Sequence, residues 1–194
     1  RDEVGTMLAK LGASEQTRLV GALQAVESVL DAKAKPSISL RSHRPGDMGW
    51  VIGAHGRLYA QEYGWDERFE ALVAGIAKDF VEQLDRERER CWMAEVNGEP
   101  VGCVFLVAKS RSMAKLRLLI VEPKARGIGL GRRLVEECIT FARAKGYRKL
   151  VLWTQANLAA ARHIYKSSGF KLVSRQPHQD FGIKLTGEYW ELGH

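Results

Sequence analysis

A row of closely spaced glycines, Arg126-Gly127-Ile128-Gly129-Leu130-Gly131-Arg132, sits where a strand-like apolar run ending at Val121 gives way to a helix-like run. This junction constrains the fold more than any other feature. A strand turned so tightly into a helix belongs to an α/β layer architecture. Backbone N–H groups left open at a helix start, where the macrodipole is equivalent to about half a positive charge, make a cradle for a phosphate or pyrophosphate. Arg126, Arg132 and Arg133 add side-chain charge to it. The same glycines would also serve a plain strand-to-helix turn, so the flanking sequence has to decide.

The flanks read as alternating strands and helices. Residues 38–41 suit a strand, and 47–63 a helix weakened by Gly53 and Gly56. Asp66 is placed to cap a second helix whose apolar positions Phe69, Leu72, Val73, Ile76, Phe80, Val81 and Leu84 follow the 3.6-residue period into the charge run 85–90. Residues 91–96 and 100–108, joined by Asn97-Gly98, predict a β-hairpin, because Asn-Gly supplies the positive φ angles of a type I′ turn. A third strand is expected at 114–121. After it come a helix at 129–145, a strand at 149–153, a helix at 157–167, a strand at 170–175 and a last strand at 186–192. That order predicts a mixed α/β sheet.

Two well-known phosphate-binding motifs do not fit. A Walker A loop needs Gly-Lys followed by Ser or Thr, and no such pair follows these glycines. A dinucleotide fingerprint needs a further glycine where Arg132 stands, and an acidic residue after the next strand, where Trp153-Thr154 stand.

Arg126-x-x-Gly129-x-Gly131, preceded by Val121-x-Pro123, resembles the acyl-coenzyme A signature of the GNAT family (GCN5-related N-acetyltransferases). The downstream run Asn157-x-x-Ala160-Ala161-Arg162-x-x-Tyr165-x-x-x-Gly169-Phe170 is similar to the second half of the same domain. The resemblance covers roughly residues 38–192. It implies a mixed central sheet flanked by helices and splayed between strands 4 and 5, with acetyl-CoA or coenzyme A held in the gap. It further implies coenzyme contacts from Leu119, Ile120 and Val121, from Arg126, Gly127, Ile128, Gly129, Leu130, Gly131 and Arg132, and from Asn157, Ala161 and Tyr165. The backbone of the strand-4 residues would bind the pantetheine and polarise the thioester carbonyl.

The implied reaction is N-acetyl transfer to a small amine, an amino acid being one such acceptor. It requires an unprotonated amine, support for the oxyanion and a proton for the departing thiolate. By the resemblance Tyr165 is that general acid; a phenol near pKa 10 and a thiol near 8.5 are matched closely enough for the transfer. Packing beside Ile164 and Phe170 is the alternative use of the same ring. Asn157 equally suits a helix N-cap. Histone-type relatives carry a glutamate base on strand 4, where this chain has Lys115 and Arg117. Glu62, Glu95, His55 and Glu122 are then the remaining bases, each through a water relay. Arg117 or Lys115, if it faces the acceptor cleft, would pair a carboxylate on the substrate; solvent-facing charge is the alternative. The resemblance also implies that Tyr59 and Glu62, within the cluster that also holds His55, Arg57 and Tyr63, lie on the acceptor side.

Residues 14–30 carry a helical stripe, Leu19, Val20, Leu23, Val26, Val29 and Leu30, opened by Ser14, and 31–36 reads as a polar linker stopped by Pro36. The chain is therefore read as a helical arm, 1–35, and an acetyltransferase domain, 36–194. The join resembles that of proteins fusing a MarR-type winged-helix repressor to a GNAT domain. A non-catalytic acyl-CoA-binding domain of a transcriptional regulator is accordingly the alternative function, with DNA reached only through a region ahead of this helix. No helix-turn-helix is recognisable in the chain. The first residue is Arg1 rather than Met, which is expected of a truncated or processed chain.

With 30 Lys and Arg against 23 Asp and Glu the net charge is +7, suited to a polyanion or a phosphate-rich coenzyme. The basic run 143–149 is read as a solvated helix end rather than a nucleic-acid patch. The three cysteines, Cys91, Cys103 and Cys138, lie in apolar segments without metal-ligand spacing, so buried free thiols and no metal site are expected. Apolar runs such as 101–108 are too short to span a bilayer, and no secretory signal opens the chain. The expected setting is the cytoplasm, and the expected partners are the small amine and a second copy of the chain.

Overall fold

The computed structural model describes residues 11–30 and 36–193. The chain divides after Pro36 into two compact units. The first contains helix α1 (Ala13–Leu30). Its start differs from expectation: the Gly12 N–H donates to the Glu15 carboxylate at 2.9 Å, so Glu15 supplies the cap and Ser14 lies inside the first turn. Val20, Leu23 and Val26 of the predicted stripe are each more than half exposed. The side chains of Val29 and Leu30, and the linker at 31–35, lie outside the described residues.

The second unit runs β1 (Ile38–Ser42), α2 (Asp47–Tyr63), α3 (Glu67–Gln83), β2 (Arg90–Val96), β3 (Glu99–Ala108), β4 (Met113–Val121), a 3-10 turn (Pro123–Ala125), α4 (Leu130–Ala144), β5 (Lys149–Gln155), α5 (Ala159–Ser167), β6 (Lys171–Asp180) and β7 (Ile183–Gly193). The strands form one sheet in the order β1-β2-β3-β4-β5-β7-β6. Local chemistry sets the boundaries. The Asp66 carboxylate accepts from the Arg68 N–H at 3.1 Å and caps α3. Asn97 and Gly98, at φ 53° and 81°, make the predicted hairpin turn.

Helices cover both faces of the sheet. Leu130, Leu134, Val135 and Cys138 of α4 pack with Leu116 and Leu152 on one face. Val51 and Leu58 of α2 and Phe69, Val73 and Phe80 of α3 pack with Met93 and Phe105 on the other. β3 lies between these layers, which is why it reads as an unbroken apolar run rather than an alternating one. All three cysteines are buried and free.

Two features of β4 open the sheet. The register with β3 passes from Cys103↔Ile120 to Phe105↔Arg117, so an extra residue is inserted there, and Leu118 takes up the bulge at φ 51°. The bulge inverts the phase of the strand: Ala114 and Leu116 face α4, whereas Ile120 faces α2 and α3. The parallel ladder between β4 and β5 then stops at Leu116↔Leu152, although β4 continues to Val121 and β5 to Gln155. The strands separate where the resemblance had implied.

Elsewhere the expected boundaries shift. α5 begins at Ala159, with Leu158 as a cap residue that makes no side-chain bond, so Asn157 does not cap it. β6 continues to Asp180 and returns into β7 through Phe181 and Gly182, at φ 57° and 83°.

Candidate active site

The gap between β4 and β5 is occupied by two connected hollows. The outer cleft, about 810 Å³, is walled by Tyr59, Glu62 and Tyr63 of α2, by Leu119, Ile120 and Val121 of β4, by the glycine turn and by the start of α5. The inner cavity, about 110 Å³, is walled by Lys115, Arg117 and Leu119, by Phe69, Leu72 and Ile76 of α3, by Trp153, and by Tyr165. Tyr59, Leu119, Leu158 and Ala161 line both, so the hollows meet there.

The outer cleft carries donors for an anion. Gly129 stands at the N-cap of α4 with φ 81°, a conformation open to glycine and strained for residues with a Cβ, and its carbonyl accepts from the Arg133 N–H. The N–H groups of Leu130, Gly131 and Arg132 come before that first helical bond, and none has an acceptor among the described residues. Along β4, Glu122 donates to Val101 on the β3 side, so by alternation the main-chain groups of Val121 and Leu119 face the gap. The Val121 carbonyl takes a bond from Arg126 Nε at 3.0 Å. The Arg126 guanidinium also grips Glu62 through Nη2 at 2.7 Å and Nη1 at 3.1 Å, and this pairing raises its pKa. Arg57 likewise holds Glu122 at 2.5 Å.

The inner cavity is aromatic on one side and cationic on the other. Tyr59 packs on Phe69 at 4.5 Å and on Trp65 at 4.8 Å between ring centroids. Tyr165 is 5 % exposed, its ring edge-on to Phe170 at 5.8 Å, and its hydroxyl has no hydrogen-bond partner among the described residues. Burial, reinforced by Tyr59 and Cys138, pushes the Tyr165 phenol well above its ordinary pKa, so it holds its proton. Lys115 and Arg117 are half-buried, and neither has an ion pair or hydrogen bond among the described residues. Desolvation lowers both pKa values; Lys115 is lowered further by Arg117 and Lys109, while Asp79 partly opposes the shift at Arg117. His55 is buried, with Nδ1 2.8 Å from the Val51 carbonyl and Nε2 unpartnered. Burial lowers it to about 4, so the imidazole is neutral and Nδ1 carries the proton.

Of the residues the sequence singled out, Leu119, Ile120, Val121, Arg126, Gly127, Gly129, Leu130, Gly131, Arg132 and Ala161 are gathered in the outer cleft. Tyr165 and Arg117 lie in the inner cavity, and Tyr59 at the junction. Three placements differ from expectation. Ile128 is half-exposed and lines neither hollow. Asn157 lines a separate open groove beside the β6–β7 hairpin, with Pro177, His178 and Lys184. Glu62, expected at the acceptor, faces Arg126 in the outer cleft. The proposed bases are already engaged: Glu62 by Arg126, Glu122 by Arg57, and Glu95 by Arg41 at 2.6 Å. Sequence reasoning missed Leu118, whose bulge aims the end of β4 into the gap, and no local signal marks it. Among the described residues, no group of three or more His, Cys, Asp or Glu is placed to hold a metal, and no helix is long and apolar enough to cross a membrane.

Comparison with known proteins places the chain in a family. An uncharacterized N-acetyltransferase of Methanocaldococcus jannaschii is 31% identical over 121 residues, 59% of this chain and 54% of that protein. Another, from Schizosaccharomyces pombe, is 30% identical over 62% of this chain and 74% of its own length. The chain thus spans about half of the first relative and about three quarters of the second. The fold superposes on that of spermidine N-acetyltransferase from Vibrio cholerae, solved with CoA and spermine, with a TM-score of 0.63, 18% identity, and 80% of this chain and 95% of that one covered. The family model for the GNAT acetyltransferases matches residues 57–170, from the α2 wall of the outer cleft through Tyr165. With that match extending over more than half of its length, the chain belongs to the GNAT acetyltransferase family.

Proposed function

We propose that the chain is an acetyl-CoA-dependent N-acetyltransferase acting on a small amine by direct transfer, an amino acid being one such acceptor. The observation that carries this reading is the junction of the two hollows at Tyr59, Leu119, Leu158 and Ala161, with open backbone N–H groups outside it and the Tyr165 phenol inside. Coenzyme-bound acetate supplies an activated thioester; the acceptor nitrogen gains the acetyl carbon as the C–S bond breaks, the amine gives up one proton, and the thiolate gains one. The open N–H groups of Leu130, Gly131 and Arg132 suit the pyrophosphate, with Arg126 and Arg132 adding charge. The gap-facing main chain of Leu119 and Val121 suits the pantetheine amides and the thioester carbonyl. Tyr165 keeps its proton until a thiolate forms beside it. Dry surroundings raise phenol and thiol together, so transfer between them stays matched.

Thiol release from acetyl-CoA across a panel of amines tests the reading. Release that depends on acceptor is expected; coenzyme binding without release for any amine would replace the enzyme by an acyl-CoA sensor. The exposed apolar residues of α1, Val20, Leu23 and Val26, support the sensor alternative and the MarR-type join, since such a stripe suits burial against a further region. The long edge strand β6, exposed along nearly all its length, supports pairing with a second copy. A cytoplasmic setting accords with the three free thiols.

A further inference from the structure

We infer that the acceptor is a free α-amino acid with a large apolar side chain, its carboxylate held by Lys115 and Arg117 and its side chain by the aromatic wall opposite. This rests on the transferase reading and names the substrate class of that same cavity.

The argument starts from the two cations. Lys115 and Arg117 are two residues apart on β4, ahead of the bulge, so they share a face, about 7 Å apart along the strand. Arg117 stands opposite Phe105, which packs with α2 and α3, so that face is the one turned toward α3. A half-buried ammonium and guanidinium lose hydration, and proteins ordinarily repay that loss with paired anions. Here no partner lies within ion-pair distance of either among the described residues. The nearby charges acting on them are Lys109, which repels Lys115, and Asp79, which acts on Arg117 without reaching salt-bridge distance. Two adjacent cations without an ion-pair partner among the described residues, in a walled cavity, describe an anion site. A planar carboxylate suits the guanidinium fork.

The rest of the wall favours an apolar side chain over a wholly polar one. Phe69, Leu72, Ile76 and Trp153 line the same cavity, and Leu72 and Trp153 remain 40 % and 42 % exposed. An apolar side chain would cover that surface. Leu119, two residues beyond Arg117, opens onto the outer cleft. An acceptor whose carboxylate sits at Arg117 therefore presents its amine toward the junction beside Tyr165. A polyamine would bring positive charge against Lys115 and Arg117 and is disfavoured here.

The test compares L-phenylalanine with phenethylamine, which lacks the carboxylate, with phenylalaninamide, which imitates a peptide N-terminus, with glycine and with spermidine. Thiol release is measured alongside calorimetric binding in the presence of CoA. Phenylalanine is expected to exceed each of the others at least tenfold in kcat/KM. Arg117→Met and Lys115→Met should each shrink the phenylalanine-to-phenethylamine ratio at least tenfold, mainly through KM. A ratio near one in the unaltered protein, or preference for spermidine or the amide, would overturn the inference while leaving transferase activity standing. If no amine is acetylated, carboxylate-dependent binding of phenylalanine still supports the anion site and sinks the transferase reading alone; no binding and no release sinks both.

Discussion

The α-carbon of Gly102 on β3 faces the carbonyl oxygen of Ile120 on β4 so closely that a methyl group placed there would stand 2.8 Å from it. The obstruction is backbone, so it cannot rotate away as a side chain could. Gly102→Ala must therefore push the end of β4, the wall shared with the outer cleft. Overpacking of this kind costs about 2 kcal/mol, or roughly 4–8 °C in Tm for a chain of this size. We expect that loss together with at least a tenfold fall in kcat/KM. Calorimetry and thiol release check both. Full activity at an unchanged Tm would show that the strand end is not held by this contact.

Gly53→Ala in α2 serves as the opposite case. A methyl group there meets nothing within 4 Å, and the backbone is ordinary helix. The substitution should stabilise by about 0.5–1 kcal/mol, seen as a rise in Tm.

Tyr165→Phe removes only a hydroxyl that has no internal partner, so folding should be almost unchanged. Loss of a positioned general acid costs about a hundredfold in kcat, with much less effect on KM. Equal kcat for the two proteins would leave Tyr165 as a packing residue on Phe170.

His55 makes stability depend on acid. Its folded pKa, about 4, lies below the ordinary 6.5, so below 6.5 the unfolded chain takes up a proton that the folded chain refuses. Stability should fall as pH drops from 6.5 to 4, by about 3 kcal/mol from this group. His43, lowered by burial and by Arg86, acts in the same direction. His55→Leu should flatten the Tm–pH curve over that interval. An unaltered slope would refute the assignment.

Glu62 competes with any phosphate for Arg126. Both groups are partly exposed, so the pair contributes at most about 1 kcal/mol. Glu62→Gln should move Tm by no more than about 3 °C while tightening coenzyme binding severalfold at low salt, with the gain fading at high salt. Weaker binding in that variant would instead make Glu62 a positioning residue for Arg126.

Much of this was legible in the chain because local chemistry and tertiary demand coincide. Asp66, Asn97-Gly98 and the stripe of α3 each announce their element, and the glycine turn marks an open helix start before any fold is known. Other features leave no local trace. The bulge at Leu118 lies in Leu118-Leu119-Ile120-Val121, where every residue is apolar and an inverted phase is invisible. β6 runs past its expected end at 175 although Gln176-Pro177-His178-Gln179 lacks strand-forming residues, because the pairing with β7 imposes the strand. The resemblance puts Glu62 on the acceptor side, yet a side chain on α2 can face either hollow. Only the Arg126 partnership decides it.

The ladder that halts at Leu116 and Leu152 leaves a seam in an otherwise continuous sheet. An inserted chain with amides of its own would pair along that seam as a surrogate strand, through main-chain atoms. Drift in the side chains of Leu119 and Val121 should consequently leave the grip intact as long as the two strands stay parted.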